Sequence, residues 1–335
     1  MTNGPLPLLH VGLGGWGRDW SKAVVPEVDT VRTVAYADPA AGALELLETD
    51  LPRFTDVQKA LAESEAEGVL VTSGVFGHVP VVQAALEAGK HVLVEKPFAP
   101  TVAEAEALVA LAEKKSLMLS VSQNYRFFPA PIAVRELVAG GSLGKLHRID
   151  LTFRRLSSGG KSPHHQYDEP LLYDMSVHHF DLMRFVTGLP VERVYAETWN
   201  PEWSHFVGRS EGVATVRLAG DVGISYSGSW VSNGPATAWA GDWRMDFADG
   251  QIEWTSRNSD GVNGDHVWIT QDGNTTELDL PDLRLYGRRG SLAAFAESVR
   301  TGVAPHNSGA DNIGTLRLML GSIESSRQGT VVQLG

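Results

Sequence analysis

The first part of the chain, to about residue 120, alternates between two kinds of segment. Short apolar runs of β type stand at Leu8–Val11, Thr33–Ala37, Val69–Thr72, His91–Val94 and Met118–Val121. Stretches rich in Ala, Glu and Leu with helical spacing lie between them, among them Pro80–Ala88 and Val102–Lys114. Continuously apolar strands alternating with helices predict a parallel, doubly wound α/β sheet. Gly89 stands where the helix Pro80–Ala88 should stop. Thr101, with Glu104 three residues on, reads as an N-cap and capping box.

After Asn124 the rhythm changes. The pattern predicts a helix over Ala130–Ala139 ending at Gly140–Gly141, a strand over His147–Leu156, a polar loop over Ser157–Asp168, and a helix over Leu172–Thr187 ending at Gly188. Six β-type runs follow with little helix between them: Val191–Thr198, Gly212–Leu218, Gly223–Val231, Trp243–Phe247, Gln251–Trp254 and His266–Thr270. Consecutive strands separated by turn signals such as Ala248-Asp249-Gly250 predict a large, mostly antiparallel sheet. Helices near Ser291–Arg300 and Ala310–Ser326 close the chain. The expectation is two domains, 1–123 and 124–335. A length of 335 residues agrees with that, being too long for one ordinary core.

Composition narrows the chemistry. The absence of cysteine excludes a disulfide framework, a thiolate metal site and a cysteine nucleophile. A net charge of −12 with scattered Lys and Arg argues against nucleic acid as a partner. Neither a signal-like N-terminus nor an apolar run of the about 20 residues that span a bilayer is visible, so a cytoplasmic protein without membrane contact is expected.

Gly12-Leu13-Gly14-Gly15-Trp16-Gly17 directly follows the first apolar run and opens a helical stretch. In a dinucleotide-binding G-x-G-x-x-G turn the first glycine permits the tight turn, the second lets a pyrophosphate approach the backbone, and the third lets helix and strand pack closely. The helix N-terminus would then face the phosphates. Asp38, about 20 residues further on at the end of the second run, suits a carboxylate that accepts hydrogen bonds from ribose hydroxyls. It would repel a 2′-phosphate, and Pro39 and Ala40 bring no cation, so NAD is expected rather than NADP.

With Glu95-Lys96-Pro97 added, the chain resembles, over nearly its whole length, the glucose–fructose oxidoreductase / inositol dehydrogenase (Gfo/Idh/MocA) family. The matching pieces are Gly12–Gly17, Ala84–Val92, Glu95-Lys96-Pro97, Asp174-x-x-x-His178 and Phe295-Ala296-Glu297-Ser298-Val299. The resemblance implies an NAD-dependent oxidoreductase of a sugar, inositol or related polyol, built as a homodimer or homotetramer. It implies a cofactor site of Gly12, Gly14, Gly15, Trp16, Gly17, Asp38, Ser73, Gly74, His78, Glu95 and Lys96, with a cis peptide before Pro97. It implies Lys96, Asp174 and His178 as catalytic residues, and Lys96, Asn124, Tyr125, His165, Asp174 and His178 as substrate contacts.

A Lys just past a strand's carboxyl end can stabilise charge on a reacting oxygen. Asp174 and His178, four apart on a helix, share a face, and histidine titrates near neutrality. Spacing alone would equally describe a helix-stabilising pair. Asp181, three beyond His178, is read as orienting, His179 as structural, and Arg126 as either a substrate contact or a salt-bridge partner. Adjacent His164 and His165 rarely bind one ion together, so no metal is expected.

Two departures stand out. Where the family has Thr-Pro-Asn-x-x-His the chain has Ser73-Gly74-Val75-Phe76-Gly77-His78. Where it has Gly-Gly-Gly the chain has Asp168-Glu169-Pro170, with Ser176 where glycine is common. Both are expected to alter specificity. Two other readings of the same fold compete: an NAD-dependent glycosidase that cleaves by way of a transient oxidation, and a non-enzymatic ligand sensor.

Overall fold

The computed structural model describes residues 4–157, 163–258 and 264–335, apart from the side chains of residues 163 and 164. Its chain forms two compact units. One joins Met1–Asn124 to Leu285–Ile313, and the other joins Tyr125–Arg284 to Gly314–Gly335. The crossing near residue 124 falls beside the expected one. The return of residues 285–313 to the first unit was not anticipated. Its cause is apolar: Leu292, Phe295 and Ala296 of the helix Gly287–Thr301 are buried in one cluster with Leu6, Leu8, Trp20, Leu70 and Leu93.

The first unit holds a six-stranded parallel sheet. Its strands are β1 (Leu6–Val11), β2 (Val31–Ala37), β3 (Arg53–Phe54), β4 (Gly68–Val71), β5 (His91–Val94) and β6 (Leu119–Val121). Their order, β3-β2-β1-β4-β5-β6, is that of the doubly wound dinucleotide fold, with the switch point at β1 and β4. All six residues of β1 are buried, as expected of a central strand covered on both faces. Only the two-residue β3 had no sequence signal.

Gly89 closes the helix His78–Glu87 in the left-handed region, at φ +74°. At the start of Val102–Lys114, Thr101 Oγ1 accepts the Glu104 N–H at 3.2 Å. The Glu104 carboxylate accepts a hydrogen bond from the Thr101 hydroxyl at 2.6 Å, a variant of the expected box.

The second unit holds a nine-stranded sheet ordered β14-β13-β12-β11-β7-β10-β9-β8-β15. The strands are β7 (Leu146–Arg154), β8 (Val191–Trp199), β9 (Glu211–Leu218), β10 (Val222–Ser229), β11 (Asp242–Phe247), β12 (Gly250–Thr255), β13 (His266–Gln271), β14 (Asn274–Glu277) and β15 (Val332–Gln333). All neighbours are antiparallel except β7 and β10. Register puts Val194, Val216, Ile224, Ile149, Met245 and Ile252 in one row across six strands, and all six are buried. Alternation within each strand leaves the opposite face polar, the pattern of a sheet with one covered face.

The helix expected over Leu172–Thr187 is composite. Leu171–Ser176 is π-helical and Val177–Thr187 is α-helical, ending at Gly188 with φ +66°. Among the described residues no helix is long and apolar enough to cross a membrane.

Candidate active site

The glycine turn separates structural glycines from open ones. Gly12 has φ +94°, and a Cβ there would lie 2.3 Å from Ser73 N. A Cβ on Gly17 would lie 1.8 Å from Gly12 O. The chain's own packing therefore requires both. A Cβ on Gly14 or Gly15 would meet nothing within 4 Å. That open backbone is what a pyrophosphate needs, so the turn fits a dinucleotide. The α-helical part beyond it is short, Gly15–Asp19, and passes into a π-helical turn over Trp20–Val24.

Two side chains brace the turn. Thr72 Oγ1 donates to Gly12 O at 2.6 Å and accepts from His10 Nε2 at 2.8 Å. His10 is wholly buried, which pushes its pKa down to about 3 and keeps it neutral. Asp38 Oδ2 accepts the Leu13 N–H at 2.6 Å, and its Oδ1 accepts the Ala40 N–H at 2.8 Å. The expected ribose acceptor thus also ties β2 to the glycine turn. Each carboxylate oxygen retains acceptor capacity for a hydroxyl.

The Glu95-Lys96-Pro97 segment is held from both sides. Glu95 is buried, and its Oε1 accepts the indole N–H groups of Trp16 at 2.9 Å and Trp20 at 2.8 Å. Its Oε2 accepts the Lys96 N–H at 3.2 Å. The Lys96–Pro97 bond is cis, as the resemblance implied.

His78 is buried, with Nδ1 2.8 Å from Pro97 O and Nε2 2.8 Å from Ser73 O. Burial lowers its pKa, against the pull of both carbonyls and of Glu95. Its ring therefore clamps the loop after β4 to the loop after β5. Val75, at the family's Asn position, is buried in the turn Val75–Gly77 that follows Gly74. The Lys96 side chain is half-buried. Trp16 is exposed, with the Arg288 guanidinium 4.2 Å over its ring.

In the second unit the functional side chains gather around the composite helix. Asn124, the last residue of the first unit's opening segment, is buried and starts the 3₁₀ turn Asn124–Phe127. Tyr125 stacks on His178 with ring centroids 4.0 Å apart and planes 4° apart. Both are buried, while Asp174, in the π-helical segment, is half-buried.

Asp181 holds Arg126. Its oxygens accept from Arg126 Nε and Nη2 at 2.6 Å each, a buried two-pronged pair, and Thr315 Oγ1 adds a bond at 2.9 Å. His165 is buried against Phe206, 4.6 Å between centroids, with Nε2 3.1 Å from Ser157 Oγ. The side chain of His164 lies outside those described.

His179 is structural, as expected. It is buried with a pKa lowered to about 4, so its ring is neutral. Its Nε2 lies 3.0 Å from Trp239 O, its Nδ1 3.2 Å from Tyr226 Oη, and Tyr226 Oη 2.7 Å from Ser176 Oγ. One proton arrangement satisfies the whole chain: Ser176 donates to Tyr226, Tyr226 to His179, and His179 to the Trp239 carbonyl. The departure at Ser176 thus starts a relay that fixes Trp239. Glu169, from the other departure, is buried and accepts Arg209 Nη1 at 2.8 Å.

Three residues here had no sequence assignment as a group. The Arg155 guanidinium lies 4.0 Å over the Trp239 ring, and that of Arg257 lies 5.5 Å from it and 4.5 Å over Tyr125. Arg257 also donates to Tyr125 Oη, and Arg155 Nη2 to Thr237 O at 3.0 Å. In sequence Arg155 reads as one polar position of a strand, and Arg257 lies past the end of another. Only the tertiary fold brings them to one ring.

The NAD-binding Rossmann model of the Gfo/Idh/MocA oxidoreductases matches residues 8–123, and that family's C-terminal domain model matches residues 132–253. The chain belongs to the Gfo/Idh/MocA family. It is an NAD-binding oxidoreductase. An uncharacterised Sinorhizobium fredii protein, y4oX, is 26% identical over 98% of this chain and 95% of its own length. D-apiose dehydrogenase of Paraburkholderia graminis is 25% identical over 84% of this chain and 76% of its own. The fold also matches an Agrobacterium radiobacter oxidoreductase, solved with NAD+, L-tartaric acid and magnesium, at TM-score 0.87 and 20% identity over 98% of both chains.

Proposed function

We propose that the protein is an NAD-dependent dehydrogenase that interconverts a secondary alcohol and a carbonyl on a sugar or related polyol. Bound NAD supplies the hydride acceptor or donor. Everything else falls to side chains. Asp38 accepts from the adenosine ribose hydroxyls, and the open backbone at Gly14 and Gly15 receives the pyrophosphate. Lys96 donates to the reacting oxygen and stabilises its developing negative charge. His178 takes the hydroxyl proton on oxidation and returns it on reduction. Asp174 accepts from a substrate hydroxyl and sets its orientation.

One observation carries this reading: His178 is stacked flat on Tyr125 at 4.0 Å, so the acid/base ring is fixed before substrate arrives. The D-apiose dehydrogenase relative supports a sugar-like substrate.

NADH formation from NAD+ across a panel of sugars, polyols and sugar acids tests it. Turnover should appear with at least one compound class. His178→Ala and Lys96→Ala should each lower kcat by roughly 10²–10⁴. Full turnover in either variant would remove that residue's role.

A further inference from the structure

The strongest unused feature of the second unit is its pair of arginines on Trp239. Several arginines here meet a carboxylate: Arg126 meets Asp181, Arg209 meets Glu169, Arg148 meets Asp150 and Arg217 meets Asp221. Among the described residues neither Arg155 nor Arg257 has such a partner. Arg155 Nε is buried with no hydrogen-bond acceptor.

Both guanidinium groups lie against one indole, so two like charges share a half-buried place. Burial first, and Arg257 in addition, lower the Arg155 pKa. The chain has net charge −12, yet among the described residues no carboxylate forms an ion pair with either guanidinium.

The arrangement is also held in place. Arg257 has φ +59°, a left-handed conformation that costs a branched or long side chain roughly 1–2 kcal/mol. Asp265 fixes it: Oδ1 accepts the Arg257 N–H at 2.8 Å, and Oδ2 accepts Ser256 Oγ at 2.9 Å and Ala130 N at 3.0 Å. The Ser176–Tyr226–His179 relay ends on the Trp239 carbonyl. Beyond the bonds to Thr237 O and Tyr125 Oη, the two guanidinium groups have further N–H donors of the kind that bind a planar or tetrahedral oxyanion. Tyr125 joins Arg257 to His178, since it carries the Arg257 guanidinium and stacks on the imidazole.

We propose that Arg155 and Arg257 recognise an oxyanion on the substrate, so that the sugar is an acid or a phosphate ester. This rests on the dehydrogenase reading for the rest of the substrate. The two sources of the charge, carboxylate and phosphate, are separated by the probes below.

The test uses the full chain with NAD bound and reads tryptophan fluorescence and NADH formation together. The probes are D-gluconate, D-glucuronate, D-glucose 6-phosphate and the neutral D-glucose and myo-inositol. At least one anion should bind tenfold or more tighter than its neutral counterpart. Arg155→Met should weaken that anion roughly 10- to 100-fold, as loss of a charged hydrogen bond does. Arg257→Gly should do the same while keeping the melting temperature, because glycine accepts φ +59° without strain. Arg155→Lys should recover part of the loss.

Equal affinity for anions and neutral sugars overturns the proposal. So does unchanged anion affinity in both Arg155→Met and Arg257→Gly. Anion binding that depends on the pair, with no NADH from any probe, supports it and counts against the dehydrogenase reading. NADH from neutral sugars without anion preference does the reverse.

Discussion

The loops of the first unit and the aromatic cluster of the second treat buried polar groups in opposite ways. Around the glycine turn two carboxylates and two imidazoles are tied to other groups of the chain. Asp38 caps the turn, Glu95 holds two indoles, His10 braces Thr72, and His78 bridges two carbonyls. Around Trp239 the histidine and tyrosine are hydrogen-bonded, but two cations share one indole and, among the described residues, have no carboxylate partner. The first region is a scaffold whose opening is bare backbone. The second is a scaffold whose opening is charge. Cofactor recognition through backbone amides needs little side-chain chemistry, whereas recognition of a particular substrate needs groups held ready and unsatisfied.

The comparison breaks most sharply at the internal anchors. Asp181→Ala strands the buried Arg126 guanidinium and should destabilise the protein by about 3–5 kcal/mol in a denaturant melt. A loss under 1 kcal/mol would show that the pair is solvated. Gly17→Ala places a methyl group against Gly12 O and should lose about 3 kcal/mol together with NAD binding. Gly14→Ala, with open space before it, should leave the melt unchanged and weaken only NAD. If both alanines melt alike, the division between packed and open glycines is wrong.

Acid should act on both regions. His10 and His179 are held neutral in the folded protein, at about 3 and about 4, while the unfolded chain takes protons near 6.5. Stability that is full above pH 6.5 is therefore lost as pH falls towards 4, on the order of 1 kcal/mol per pH unit for each ring. Glu169 and Asp265, raised by burial, oppose this in the carboxylate range. Melts between pH 7.5 and pH 5.5 read the slope, and a flat profile would mean that one or both rings reach water.

The smallest effect concerns the relay. Ser176→Gly restores the residue common at this position in the family and removes one hydrogen bond to Tyr226. It should destabilise by about 1 kcal/mol and loosen substrate binding more than NAD binding.

Legibility in the sequence followed the range of the interactions. Strands β1, β2, β4, β5 and β6 and the glycine turn were readable because apolar runs and glycine spacing are local signals. The cis peptide and the residues around Lys96 and His178 came through resemblance, since Glu-Lys-Pro carries no physical signature of its own. The return of the helix Gly287–Thr301 to the first unit was invisible because an apolar stripe does not name its partner. The π-helical turn at Leu171–Ser176 was read as ordinary helix for want of any compositional mark. Asp181 sat at the spacing expected for orienting His178. Its buried pair with Arg126, from another element, carries no local signal. Arg155 and Arg257 carry no local signal, and only the tertiary fold brings them to Trp239.

The account stands most directly on NADH formation by the wild-type protein measured beside His178→Ala. A rise in NADH absorbance with a sugar or sugar acid, reduced by roughly two orders of magnitude or more when His178 is removed, is the predicted result. Equal rates in the two proteins, or no NADH from any member of the panel at saturating NAD+, would contradict it.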